Sequence, residues 1–329
     1  MPNLIMNLLF TSAGRRVSLI RNFKTSMEKL NIRGNIITAD RKKDASACFV
    51  SDYSEQVPPV SDPTYIDVLL KICRDYEITL LIPLIDPELS LLSRHSKPFE
   101  DIGIKLLVSS PEVNKICINK RVTYDFFKSN HISTPQLYSL EELSKENNRI
   151  SYPLIIKPAN GSCSINVNKV HNFKELIFFL HHTQNPIIQE YISGEEYTLD
   201  ILVDFEGKAK VVVPRLRMET RAGESSKGIT VKNSALIEAG KKVAESLPGA
   251  IGCITAQCFL TKEGDIKFIE INPRFGGGFP LSYHAGADFP GWILAMAQGQ
   301  ELQVSIDEWK DGIVMLRFDD AIFTTKNKI

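Results

Sequence analysis

The 329-residue chain predicts an α/β architecture joined to an α+β one. Three observations carry that reading. From residue 4 to about 108, short apolar runs alternate with stretches of helical spacing, the pattern of a parallel sheet with right-handed crossovers. After residue 151, strand-like runs follow one another on short links. Near the carboxyl end, apolar runs at 253–260 and 266–271 flank a Lys-Glu-Gly-Asp turn, a hairpin signature.

In order, residues 4–10 read as a buried strand closed by the small-residue turn Ser12-Ala13-Gly14. Over 16–29, Val17, Ile20, Phe23 and Met27 share one helical stripe. Strands are expected at 35–39, 79–83 and 104–108, with helices at 63–75 and 88–97. Residues 1–110 thus form a doubly wound domain, and 111–329 a second one. The polar stretch 141–151 reads as a surface connection. Beyond it, strands are expected at 154–157, 165–170, 187–191, 197–203 and 208–214, and helices at 173–182 and 234–247.

Composition narrows the function classes. Lys plus Arg equals Asp plus Glu, at 39 each, so no bulk field draws nucleic acid or an anionic membrane. The six cysteines (48, 73, 117, 163, 253, 258) form no CxxC pair and read as reduced thiols of a cytoplasmic protein. The start runs straight into the turn at residue 12 without a basic leader, and no apolar run is long enough to cross a bilayer.

Chemistry concentrates in three stretches. In Phe268-Ile269-Glu270-Ile271-Asn272-Pro273-Arg274, strand alternation puts Glu270 and Asn272 on one face. Gln257, on the preceding strand of the hairpin, can reach the same face. Hard divalent cations take such oxygen ligands. A half-buried strand with a polar face is the alternative, but the following Arg274 and Gly-Gly-Gly run suit a transferring phosphoryl group. Lys157 ends a buried apolar strand, where its charge needs an anion or an exit to solvent. The small-residue loop after it offers N–H groups to phosphate oxygens. In the third stretch, 187–198, an apolar strand bends into Gly194-Glu195-Glu196. Such a bend offers a slot and edge hydrogen bonds to adenine, and Glu196 a carboxylate to a ribose diol. Lys120, at the start of a helix, is uninformative by itself.

In series, these stretches resemble the ATP-grasp superfamily, in particular carbamoyl-phosphate-synthase-like single-module proteins. The resemblance runs from the 8–16 segment (LLFTSAGRR) to about Gly299. It implies an ATP-grasp fold behind a pre-ATP-grasp, Rossmann-like domain, with a small lobe at about 120–190 and a large lobe at about 191–329. It implies that Lys120 and Lys157 hold ATP phosphates and that the loop with Gly161, Ser162 and Ser164 closes over them. Gln189, Glu190, Tyr191 and Ile192 would border adenine, and Glu196 would bind ribose. Gln257, Glu270 and Asn272 would hold magnesium, with manganese as a substitute, and Arg274 would face the phosphoryl group. A homodimer is a family-level expectation. Asn119, Cys163 and Asn166 depart from the family, which more often has Asp at the first position and glycine at the other two.

The implied reaction is ATP-dependent ligation of a small-molecule carboxylate to an amine (or a thiol) through an acyl phosphate. A small-molecule kinase and a non-catalytic ATP-binding module are the alternatives. For the substrate, the segment 214–228 reads as a cationic Gly/Ser-rich loop, with Arg215 and Arg221 placed to bind the γ-phosphate or an anionic substrate. Asp86 and Glu88 follow a parallel strand's carboxyl end, where ligands of such sheets sit; there they are candidates for a substrate ammonium. Glu88 also fits the first turn of a helix. His284 and Asp288 are further substrate candidates, His284 being as well suited to the core.

Overall fold

The structure is a computed structural model that describes residues 5–144, 151–161 and 165–326. β1 (Asn7–Thr11) is buried along its whole length because both faces of its sheet are covered. Its alternation divides the core, Leu8 and Phe10 joining one cluster and Leu9 another. α1 (Val17–Lys29) lays Ile20, Phe23 and Met27 on the first side, and Phe10 meets Phe23 edge to face at 4.9 Å. β2 (Ile36–Asp40), β3 (Tyr53–Gln56), α2 (Tyr65–Asp75), β4 (Ile78–Pro83), α3 (Asp86–Arg94), α4 (Ser96–Glu100) and β5 (Lys105–Leu106) follow. The second face is covered by Leu69, Leu89, Leu92 and Phe99 of α2 to α4. The five strands are parallel in the order β3-β2-β1-β4-β5, so the order reverses between β1 and β4.

α5 (Pro111–Ile118) begins under a Ser110 cap and α6 (Lys120–Ser129) under an Asn119 cap. β6 (Leu137–Tyr138), α7 (Leu140–Ser144), β7 (Leu154–Pro158), β8 (Asn168–Val170), α8 (Phe173–His182) and β9 (Pro186–Glu190) come next. Their strands form an antiparallel sheet in the order β6-β9-β7-β8. The remainder is β10 (Gly194–Val203), β11 (Ala209–Arg221), β12 (Glu224–Thr230), α9 (Ser234–Ser246), β13 (Gly252–Thr261), β14 (Ile266–Asn272), α10 (Pro280–His284), α11 (Phe289–Ala297) and β15 (Val314–Leu316). Its strands form a six-stranded antiparallel sheet, β14-β13-β10-β11-β12-β15.

One apolar cluster joins Leu8, Phe10 and Phe23 to Leu199, Val212 and Ile254, so the parallel and the six-stranded sheets share a core. Phe275 seals that junction, 5.9 Å from Phe23 and 4.8 Å from Phe279. The four-stranded sheet has its own small core around Leu154, Ile156 and Ile188. Among the described residues, no helix is long and apolar enough to cross a membrane.

Several elements differ from expectation. The helix expected at 88–97 starts at Asp86 and is interrupted at His95, and the strands expected at 104–108 and 165–170 shrink to Lys105–Leu106 and Asn168–Val170. The larger correction concerns 214–228. It is not a loop but the β11–β12 hairpin, turned by Ala222 (φ 50°) and Gly223 (φ 78°). Two positive φ values in succession match the twist of a tight hairpin. Leu216, Met218 and Thr220 alternate with charged residues, the two-residue period of a strand.

Candidate active site

The β13–β14 hairpin sets Gln257 and Glu270 directly opposite each other, on neighbouring strands. Asn272, two residues on, shares that face and donates to Glu270 Oε1 at 2.9 Å. The three side chains offer one carboxylate and two amide oxygens. Gln257 Oε1 accepts from Arg217 Nη1 at 3.2 Å and Asn272 Oδ1 from Arg274 Nη2 at 3.3 Å, so long guanidinium contacts supply the positive charge these oxygens face. This donor set fits a hard divalent cation, with phosphate oxygens and water needed to complete its shell. Among the described residues, no group of three or more His, Cys, Asp and Glu side chains is gathered for a metal, so a metal site here would rest on this mixed set.

On one side of the hairpin lies a cavity of about 270 Å³ between the four-stranded and six-stranded sheets. Lys157, on β7, is 7% exposed and points into it. Burial lowers its pKa to about 8; Glu270 and Glu196 favour its charge, while Lys120 opposes it. Lys120 opens α6 and donates to the Gly161 carbonyl at 2.7 Å. Asn119, the departure from family usage, caps that helix and donates to Asn160 at 3.3 Å, which pins the Lys120 end. Gln189, Glu190, Tyr191 and Ile192 line the same cavity with Glu196. Glu190 is held by Lys267 at 2.9 and 3.0 Å, and Lys169 lies 3.9 Å over the Tyr191 ring. Burial raises the Glu196 pKa against the pull of Arg217, which donates to it at 2.6 Å. Ser162, Cys163 and Ser164 lie outside the described residues.

On the other side lies a second cavity of about 220 Å³. Its walls come from the turns after β1 and β4, the β11–β12 hairpin and the Arg274–Gly278 segment. Gln257 and Glu270 line both cavities and so form their common wall. Arg274 donates to Asp86 at 2.7 Å. Burial works against its charge, but Asp86 and then Glu270 outweigh that and raise its pKa. The glycine run serves packing: a Cβ on Gly277 would strike the Glu224 carboxylate, and one on Gly278 the Arg215 guanidinium.

Several candidates do other work. Arg215 lines the second cavity, but its guanidinium is bound bidentately by the buried Asp200 at 2.7 and 3.0 Å, so it is not a free anion-binding group. Arg221 sits at the hairpin end, largely exposed, paired with Asp319 and away from both cavities. Glu88 is fully buried, raised in pKa by that burial, and takes the Tyr65 hydroxyl, so it cannot meet a substrate ammonium. Asp288 caps α11 through Gly291 N–H and accepts from Ser26 at 2.6 Å, a structural tie. His284 is exposed beside Tyr283 and lines neither cavity. Arg16, Arg217 and Glu224 line the second cavity without having been singled out. Arg16 and Arg217 lay inside stretches already marked, but their directions depend on the fold.

The ATP-grasp domain family matches residues 117–278, and the family described as PylC-like, N-terminal domain, matches residues 8–107. The chain belongs to the ATP-grasp superfamily, with a PylC-like domain ahead of its ATP-grasp domain. The carbamoyl phosphate synthase large chain of Clostridium beijerinckii is 29% identical over 204 residues, 55% of this chain and 19% of that one. D-alanine–D-alanine ligase A of Bacillus cereus is 30% identical over 145 residues, 39% of this chain and 47% of the ligase. The matched stretches thus span a fifth to a half of those relatives. Among solved structures, the biotin carboxylase domain of Hydrogenobacter thermophilus 2-oxoglutarate carboxylase superposes with a TM-score of 0.74 at 16% identity, over 94% of this chain and 73% of that one. The L-amino acid ligase of Bacillus licheniformis superposes at 0.69 and 20% identity, over 89% and 74%. These likenesses establish a shared fold.

Proposed function

We propose that the protein is an ATP- and magnesium-dependent ligase that joins a small-molecule carboxylate to an amine, with ATP in the first cavity and the carboxylate in the second. The observation that carries this reading is the common wall: Gln257 and Glu270 line both cavities, with Lys157 on the nucleotide side and Arg274 on the other. The Hydrogenobacter neighbour was solved with MgADP and bicarbonate, and a Staphylococcus aureus N5-carboxyaminoimidazole synthetase neighbour with ADP, which supports the nucleotide assignment. On this reading residues 1–110 and 111–329 act as two domains, and the lobes at about 120–190 and 191–329 hold ATP between them.

A carboxylate oxygen attacks the γ-phosphorus, ADP leaves, and an acyl phosphate forms. The amine then attacks the carbonyl carbon, phosphate leaves, and the nitrogen gives up a proton. A divalent cation on Gln257, Glu270 and Asn272 would neutralise phosphate charge. Lys157 and Lys120 bind the polyphosphate. Arg274, held by Asp86, faces the acid and the transferring group and stabilises the charge there. Glu196 binds the ribose, with Arg217 fixing its direction. The apolar lining around Ile155, Ile192 and Ile269 takes the adenine.

The test is a metabolite panel of acids with amines (and thiols), scored for ADP and phosphate release and for an amide product by mass spectrometry. Release of AMP contradicts the proposal. A stable phosphorylated acid or alcohol would make the protein a kinase, and nucleotide binding without turnover across the panel would make it a binding module. The Hydrogenobacter domain is a dimer; a homodimer is proposed here too and is checked by sedimentation.

A further inference from the structure

The second cavity is lined by four arginines, and three of them hydrogen-bond to a carboxylate. Asp200 holds Arg215 at 2.7 and 3.0 Å, Glu196 holds Arg217 at 2.6 Å, and Asp86 holds Arg274 at 2.7 Å. Arg16 differs. Its ion pair with Glu224 is 3.9 Å long, and the other Glu224 oxygen already accepts from Arg317 at 3.1 Å. Among the described residues, the Arg16 side chain donates no hydrogen bond. One carboxylate therefore serves two guanidinium groups. Burial and the nearby Arg274 both work against the Arg16 charge and together outweigh Glu224. A half-desolvated cation with no close counter-ion is costly, and an incoming anion offsets that cost.

Arg16 is also held in place. Its own N–H donates to Ala13 O at 2.9 Å, and its carbonyl accepts from Ile20 at 3.1 Å. It follows the carboxyl end of β1, and Asp86 follows that of β4, so the two face each other across the point where strand order reverses. Arg274 reaches Asn272 of the β13–β14 hairpin at 3.3 Å, whereas Arg16 faces Glu224 of the β11–β12 hairpin at 3.9 Å. The two guanidinium groups thus stand against different walls of one cavity, with Arg274 on the side of Glu270 and Asn272.

Resting on the ligase reading, we infer that the acid held in the second cavity carries a second anionic group, which Arg16 binds while Arg274 faces the reacting carboxylate. A monoacid leaves the Arg16 fork unmatched. A dianionic acid fills it and is oriented end to end by two guanidinium groups.

The probes are the dicarboxylates from malonate to adipate, each paired with the monocarboxylate of equal chain length, and a phosphono acid, phosphonoacetate. Binding is measured by calorimetry on the full chain with saturating ADP and magnesium. At least one dianion binds about tenfold or more tighter than its monoanionic pair. Arg16→Met removes that gap, and Arg16→Lys keeps part of it, because lysine supplies charge without the fork. Preference for the phosphonate over every dicarboxylate identifies the second group as phosphate-like. Equal binding within every pair, or a gap that survives in Arg16→Met, overturns the inference; if that variant is unfolded by circular dichroism, the lysine variant decides. The ligase reading fails separately. If no acid elicits ADP release yet the Arg16-dependent gap stands, the anion site is real and the reaction is wrong. If acids react, but dianions are turned over no better than their monoanionic pairs and Arg16→Met leaves KM and kcat of both unchanged, the ligase stands and the second group does not.

Discussion

Arg274 donates a 2.7 Å hydrogen bond to Asp86, 188 residues away in the chain, and so ties the end of the β13–β14 hairpin to the parallel sheet. The contact fixes a guanidinium that otherwise keeps a long bond to Asn272 and one to its neighbour's carbonyl. Replacing Asp86 by Asn keeps the shape and removes the charge that holds Arg274. Acid-dependent turnover should fall about 10–100-fold, since small misplacements near a reacting centre have that size of effect. ADP affinity should change little, because Asp86 does not line the first cavity, where the nucleotide is proposed to sit. Equal losses in both would show that Asp86 supports the whole site and not Arg274.

Glu270 is the single carboxylate among the three proposed cation ligands. Glu270→Gln should lower turnover by ~10²–10³ and raise the magnesium concentration needed for half-maximal rate. Steady-state ADP release across a magnesium titration reads both. An unchanged magnesium dependence removes Glu270 from the cation site.

On the proposed reading, Lys157 should make nucleotide affinity pH-dependent. Its pKa is about 8 in the folded protein against 10.5 for a free lysine. The polyphosphate needs the ammonium form. Affinity is therefore full below about pH 8 and falls above it by up to about tenfold per pH unit, as binding must take up a proton. In Lys157→Met the ADP Kd should be weaker and flat over that window. The stability sign is opposite. Between about 8 and 10.5 the unfolded chain binds more protons than the folded one, so the nucleotide-free protein gains stability as pH rises. Chemical denaturation at several pH values measures this.

The Arg215–Asp200 pair and the Arg221–Asp319 pair should behave differently. Asp200 is buried and also accepts from Ser282 at 2.6 Å. Asp200→Ala leaves a buried guanidinium without a partner and should cost about 3–5 kcal/mol. Arg221→Ala breaks an exposed pair and should stay within about 1 kcal/mol with normal turnover. Denaturant midpoints compare the two directly.

Gly278→Ala should destabilise the protein by about 1–3 kcal/mol, since the new Cβ meets an Arg215 head that Asp200 holds in place. Gly312→Ala is the contrast, because nothing lies near its Cβ and its positive φ (70°) is the sole source of strain.

Local patterning was enough for the elements whose signals are local. Alternation along 253–260 and 266–271 put Gln257, Glu270 and Asn272 on one face, and the hairpin pairs them so. The apolar strand before Lys157 marked a buried lysine, and it is buried. The candidates taken from a polar-looking segment fared differently. Arg215 and Arg221 belong to one strand, yet one faces the core and the other solvent.

The sequence by itself determined the two architectures, the shared face of Gln257, Glu270 and Asn272 and the buried lysine, because periodicity and short turns act over a few residues. Tertiary structure alone decided which charges are spent and which are free. Asp200 claims Arg215, Asp86 claims Arg274 and Ser26 claims Asp288, while Arg16 is left without a close acceptor. Those pairings join residues 15 to 262 positions apart. A charge's partner is set by where the backbone returns in space, and no local pattern in the chain encodes that.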